Sequence, residues 1–312
     1  VHLMDMSPTV ATLALRVMRT VARCDGETAT ESELVIAAAQ LLGASADVDA
    51  VEPDELRDAA LDPKQAEQVV QAAILTALMD GEVSPSELTI VRAIAAALGV
   101  NEPRVKNLEQ LAAGRVRAMW VDLARRSWAR DVFVRALETE GPRGVWKIVG
   151  PMLGRAKDPE LAARYIETGA LAHDTMGYAY FQFVTSNELP FPGEGNGVAE
   201  AGVWHDCAHV LGGYGIEPSE EIQLVSFVAG FSRQDPFFWL FTITLQFHLG
   251  ISMSPYSAPE TGLFDPPAVL RAFQRGAAMT LDLSASGFDP WQLFPRNLEQ
   301  LRRELNVGPR SA

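Results

Sequence analysis

Apolar residues in this chain recur three and four positions apart, and strict two-residue alternation of β-branched residues is missing from its first third. Between Ala66 and Met79 the stripe Val69, Val70, Ala73, Ile74, Ala77 and Leu78 has the spacing of one core-facing helix side. The pattern up to about Arg115 is almost wholly helical. With 312 residues, 48% apolar and 21% charged, the chain buries a core large enough to need no disulfide or metal staple. The length allows two domains.

The charge balance, 40 acidic against 26 basic residues and a net −14, excludes phosphate-backbone binding as the main activity and argues against nucleic acid as a partner. It is uneven. Residues 1–115 hold 18 Asp and Glu against 9 Lys and Arg, and the remainder 22 against 17. Cys24 and Cys207, the only cysteines, are too few for a disulfide framework or a cysteine zinc knuckle, so a reducing, cytoplasmic setting is expected. Val1–Val10 carries Asp5, Pro8 and no basic run, and does not read as a signal peptide. The longest apolar run, Pro236–Phe247, has roughly a dozen residues, where a spanning helix needs ~20. Its Phe237, Phe238, Trp239, Phe241 and Phe247 read as helical core or, alternatively, as a lipid-facing wall at a membrane surface.

The helical first third contains an echo. Asp25-Gly26-Glu27 precedes Thr30-Glu31-Ser32-Glu33, and Asp80-Gly81-Glu82 precedes Ser84-Pro85-Ser86-Glu87. Each downstream phrase fits a capping box, with Thr30 or Ser84 as N-cap and Glu33 or Glu87 three positions on. Over about residues 10–112 the arrangement resembles the TerB-like domains named after tellurite resistance. That resemblance implies a helical bundle whose acidic turns have been suggested to bind metal. The residues themselves also fit solvated helix corners, because helix-start preferences account for most of them.

The segment Trp204-His205-Asp206-Cys207-Ala208-His209 carries the chemistry. On a helix, His205 and His209 share one face and can converge on a divalent cation. Asp206, about 100° round, completes the set from the flank or orients a ligand from behind. Gly212, Gly213 and Gly215 end that helix, and Pro218-Ser219 start another with Glu220 and Glu221 in its first turn. Folding the second helix back brings Glu221 or Glu220 toward the histidines, an N/O donor set suited to zinc, manganese or iron.

His205-Asp206-x-x-His209, eleven residues and Glu221 resemble the metal signature of the coenzyme Q biosynthesis protein four family. Met176-Gly177-Tyr178-Ala179-Tyr180 with Phe183, and Trp291-x-Leu293-Phe294 with Asn297-Leu298, resemble further phrases of that family in the same order. The resemblance spans about Met119–Val307. It implies an all-α chain, with a helical metal- and lipid-binding domain at 116–312 after the TerB-like domain at 1–115. The implied ligands are His205, Asp206, His209 and Glu221, with Zn2+ the usual ion and Mn2+, Fe2+ or Mg2+ as alternatives. An apolar channel for a polyprenyl chain is implied, to which Tyr178, Phe183, Phe227 and Phe231 are assigned. Arg271 and Arg275, four apart on a later helix, suit a diphosphate or carboxylate head group or a solvated face. The implied activity is oxidative C1 decarboxylation of a prenylated 4-hydroxybenzoate-type ring in ubiquinone biosynthesis. The expected partners are an isoprenoid lipid or prenylated ring, other quinone-biosynthesis proteins, the inner face of a membrane, and a second copy in a homo-oligomer.

Two other classes stand beside this one. A non-catalytic organiser would hold the lipid with a structural metal. A metal-dependent hydrolase of the His-Asp type would use His173-Asp174 as well. A zincin is disfavoured because Asp206 occupies the position of the general-base Glu. Gly193-Glu194-Gly195-Asn196-Gly197 is acidic, lacks a following Lys, and reads as a loop. Cys207 reads as a small buried residue and His248 as core or interfacial.

Overall fold

The computed structural model describes residues 6–126, 128–152, 157–254, 257–285 and 287–310. Residues 1–5, half of the stretch read against a signal peptide, lie outside it. The described helices are α1 (Pro8–Arg23), α2 (Ala29–Leu42), α3 (Pro63–Thr76), α4 (Pro85–Ala97), α5 (Pro103–Ala112), α6 (Val116–Arg126), α7 (Trp128–Glu140) and α8 (Pro142–Met152). They continue with α9 (Pro159–Ile166), α10 (Met176–Ser186), α11 (Val203–Gly212), α12 (Pro218–Phe231), α13 (Pro236–Phe247), α14 (Pro266–Ala277) and α15 (Leu298–Glu304). The fold is all-α: no sheet occurs among the described residues, only the isolated bridges Thr175–Asn297 and Leu249–Thr261. Nine of these fifteen helices begin on proline. At the first helical position the absent N–H is one that no intrahelical acceptor would have met, and the ring fixes φ in the helical range.

The chain divides into two compact units, 1–123 with 235–274, and 124–234 with 275–312. In the first, α1 packs on α2, α3 and α4. Leu15, Val17, Val21, Leu34, Val69, Val70, Ile74 and Val91 are fully buried there, each worth ~1.5–3 kcal/mol of apolar burial. The run Pro236–Phe247 is one helix, α13, and it belongs to this unit. Phe237, Leu240, Phe241, Leu245 and Phe247 are buried, so the run is core along most of its length. Asp235 caps it and pairs with Arg104, which also binds Glu102 at 2.9 Å. His248 is buried as expected, with Nε2 on the Met79 carbonyl at 2.9 Å.

In the second unit α10, α11 and α12 pack in sequence, and α15 lies on α10. Tyr165, Tyr180, Phe191, Trp291 and Phe294 form one aromatic cluster with ring separations of 4.7–6.4 Å. Gly276 sits against the backbone of α12. A Cβ there would stand 1.9 Å from the Phe227 carbonyl oxygen. Gly276→Ala therefore forces two backbones apart, and a destabilisation of ~3 kcal/mol or more is expected in chemical denaturation.

Candidate metal centres

α11 and α12 place the expected ligands. His205 and His209 are one turn apart on α11, with ring centroids 4.9 Å apart. Glu221, in the first turn of α12, reaches both: its Oε1 is 3.2 Å from His209 Nε2 and its Oε2 is 3.8 Å from His205 Nε2. One donor atom from each of the three residues lies within 4.8 Å of the other two. Ligands at ~2.0–2.2 Å from a tetrahedral ion stand about 3.4 Å apart, so the His209–Glu221 edge already has the right length.

Protonation supports the same reading. His209 Nδ1–H donates to the Tyr214 carbonyl at 3.2 Å, which leaves the Nε2 lone pair facing the Glu221 carboxylate. Two lone pairs meet favourably only with a proton or a cation between them. Burial pushes the His205 imidazole down to about 4, against the pull of Glu221, so it is neutral at pH 7 and can ligate. Burial opposes ionisation of Glu221, but where a proton fills that place its hydrogen bond from His209, with the two imidazoles, holds the carboxyl below the usual range.

Asp206 stands elsewhere. Its Oδ1 is 4.0 Å from Nδ1 of His205, the ring nitrogen away from Glu221, which is where an orienting carboxylate sits. Burial pushes its carboxyl up to about 7. Glu220 is engaged by Arg310 and accepts from the Gly215 N–H at 3.0 Å, so Glu221 alone of the pair faces the histidines. Cys207 is fully buried and its thiol is pushed well up by burial.

Of the assigned lipid residues, Phe183 reaches this centre and the others make contacts elsewhere in the fold. Phe183 stacks on His209 at 4.7 Å. Tyr178 stacks on His173 at 4.2 Å and its hydroxyl accepts from Gln182. Phe227 and Phe231 are fully buried against each other and Tyr214. Arg271 is exposed in the first unit. Arg275 donates to the Tyr214 hydroxyl at 2.6 Å and to the carbonyls of Gly212 and Gly308 at 3.0 and 2.9 Å.

Arg275 is one of three arginines that close the ligand helix. The last carbonyls of a helix lack intrahelical partners. Here Arg302 takes those of Val210 and Leu211, Arg275 that of Gly212 and Arg310 that of Gly213. Gly213 turns the chain at φ 72°, which lets Tyr214 return its carbonyl to His209. Sequence reasoning missed Tyr214, Arg302 and Arg310. The one available signal was the run of glycines, which announces carbonyls in need of donors. Arg302→Ala should lower stability by ~2 kcal/mol in denaturant titrations and weaken metal affinity ~10-fold, because it frees the helix end that aims His209.

The first unit holds a second cluster. The helix after the first acidic turn starts two residues earlier than expected. Its capping box is Thr28 with Glu31, not Thr30 with Glu33. Both pairs satisfy the pattern. The observed register buries Glu31 and brings the Thr28 hydroxyl to Asp80 at 2.9 Å. Ser84 and Glu87 form the second box as expected, and the Ser84 hydroxyl meets Asp25. Each acidic turn thus reaches the hydroxyl that opens the other repeat's helix. Between them one donor oxygen each from Glu31, Asp80 and Glu87 lies within 4.8 Å of the other two. Glu31 and Glu87 are fully buried, and Oε1 of each has no hydrogen-bond partner. Burial pushes both carboxyls up to about 7, and burial with Asp25, Glu87 and Glu31 pushes the Cys24 thiol up to about 12.

Residues 48–110 match the family model of the tellurite resistance protein TerB, so the chain carries a TerB-like domain there. The match takes in α3, α4, most of α5 and the second acidic turn. A comparison with curated proteins finds no match. The coenzyme Q resemblance rests on the residues quoted above.

Proposed function

We propose that the second unit is a divalent-metal centre that binds a prenylated aromatic ring and promotes replacement of its C1 carboxyl by hydroxyl: the ring–carboxyl bond breaks to release CO2, dioxygen supplies the new hydroxyl oxygen, and an external two-electron reductant with two protons takes the second oxygen to water. The observation that carries the metal is the convergence of His205, His209 and Glu221, the two histidines expected from their spacing and Glu221 from the family resemblance, with one donor atom of each within 4.8 Å of the others. The ring and its prenyl tail come from the family resemblance. His205, His209 and Glu221 would hold a divalent ion, which would supply Lewis-acid polarisation of a carboxylate or phenolate oxygen.

The chain's own residues supply the rest. His209 is held in one tautomer by Tyr214, and the Phe183 ring over it excludes water from that side. Asp206, titrating at about 7, can hold or release a proton at a carboxyl oxygen near neutrality. Tyr180 places a buried hydroxyl without a hydrogen-bond partner in the field of Asp206, a polar group that a ring substituent can satisfy.

The test pairs mass spectrometry of co-purified lipid with CO2 release from a prenylated 4-hydroxybenzoate. Release that vanishes in chelator and returns with metal is expected. Bound lipid without release under any metal would replace the enzyme by an organiser with a structural ion. Neither lipid nor release would remove the substrate class.

For the TerB-like module we propose a second, oxygen-only cation site at Glu31, Asp80 and Glu87. Two buried carboxylates with unpartnered oxygens favour it, because such groups require a proton or a hard cation.

A further inference from the structure

We propose that His248 is a positioning residue for the acidic turn that supplies Asp80, and that this imidazole couples cation binding in the TerB-like module to residues 257–264. The proposal rests on the oxygen-only site at Glu31, Asp80 and Glu87. It names a residue well outside the matched stretch 48–110.

The three ligands are not equally fixed. Glu31 and Glu87 stand in the first turns of α2 and α4, where a capping box ties each to its own helix. Asp80 lies past the end of α3. The carbonyls of a helix end have no helical N–H four residues on to meet them. His248, the residue that closes α13, reaches back to this turn. Its Nε2 is 2.9 Å from the carbonyl oxygen of Met79, the residue before Asp80. A carbonyl only accepts, so Nε2 carries the proton, and Nδ1 accepts the Phe264 N–H at 3.4 Å. Met79, His248 and Phe264 are all buried, and the Phe264 ring stands edge-on to the imidazole at 5.9 Å. All of these residues belong to the first unit.

The far side of the bridge is well fastened. The N–H groups of Glu260, Gly262 and Leu263 donate to the carbonyls of Gln246, His248 and Phe247, each at 3.0 Å. Gln246 Nε2 donates to the Ser257 carbonyl at 2.9 Å. Residues 257–264 are thus tied to the end of α13, which gives the imidazole a fixed anchor. Without the imidazole, the buried Met79 carbonyl loses that donor and the turn loses its hold. Groups that orient a metal ligand are typically worth ~10–100-fold in affinity. By linkage, whatever the bridge adds to cation affinity, the cation adds to the stability of the bridge.

The test uses the full chain. Ca2+ and, separately, Mg2+ are titrated by calorimetry at pH 8, and amide exchange in residues 257–264 is followed with and without the ion. His248→Leu should weaken the ion at least ~10-fold. His248→Gln, which returns an N–H donor near the place of Nε2, should recover most of that loss. A residue that served packing alone would lower the thermal midpoint in chelator and leave the affinity unchanged. In the wild type, exchange in 257–264 should slow ~5-fold or more when the ion binds, and His248→Leu should abolish that slowing. The wild-type exchange arm decides the matter even where His248→Leu does not fold. Unchanged affinity in His248→Leu, or wild-type exchange that the bound ion leaves unaltered, would overturn the coupling and leave the cation site in place. Binding of neither ion by the wild type would remove the site and the coupling together.

Discussion

His209→Ala should empty the metal centre of the second unit: affinity for Zn2+ falls at least ~100-fold, and purified protein loses about one equivalent of tightly held ion. The size of the effect follows from what His209 does. Its Nε2 forms the shorter of the two edges to Glu221, 3.2 Å, and its Nδ1 ties the centre to the closing turn at Tyr214. Glu221→Gln keeps the shape and removes the charge, and should cost nearly as much. Asp206→Asn should cost less, ~10-fold, because the carboxylate stands behind His205. Competitive titration against a zinc indicator measures all three. Equal losses for Asp206→Asn and His209→Ala would make Asp206 a direct ligand.

Glu31→Gln with Glu87→Gln should flatten the pH response of the first unit. In the fold both carboxyls keep their protons to about pH 7; in the unfolded chain they lose them near 4.3. Between these values the folded chain binds more protons than the unfolded one, so stability falls as pH rises and the contribution is complete only below the unfolded value. In chelator the wild-type midpoint should drop on the order of 5–10 °C more than the variant's between pH 5.5 and 8. Glutamine keeps an acceptor oxygen for each capping box, so the variant should be the more stable of the two at pH 8. A hard divalent cation should restore the wild type at pH 8, have little effect at pH 5.5, and leave the variant unmoved. Scanning calorimetry with and without Ca2+ or Mg2+ decides this. A flat wild-type profile would contradict the buried-carboxylate account.

Local rules in the sequence reached the helix ends more surely than the partnerships between them. Prolines at positions 85 and 218 marked helix starts, because a proline ring dictates φ without tertiary help. The α11 span followed from periodicity; the glycine hinge brought Glu220 or Glu221 toward the histidines, and the family resemblance pointed to Glu221. The Thr28 register did not, since Thr28-x-x-Glu31 and Thr30-x-x-Glu33 satisfy one pattern equally. What separates them is the reach to Asp80, a contact 52 residues away. Arg275 failed for the same reason. Four-residue spacing suggested a cationic face, whereas the carbonyls it meets belong to Gly212 and Gly308. The TerB-like part was legible as repeated short phrases. The reciprocal exchange of acidic turns that gives the phrases their geometry appears only in three dimensions.

The most direct test of the metal centre is X-ray absorption at the zinc edge on the full chain loaded with one equivalent of ion. Two imidazole shells with one or more carboxylate oxygens at ~2.0–2.1 Å are predicted, one imidazole being lost in His205→Ala. A shell of oxygens alone, which would place the ion at Glu31, Asp80 and Glu87, or a sulfur shell at ~2.3 Å would contradict the assignment to His205, His209 and Glu221.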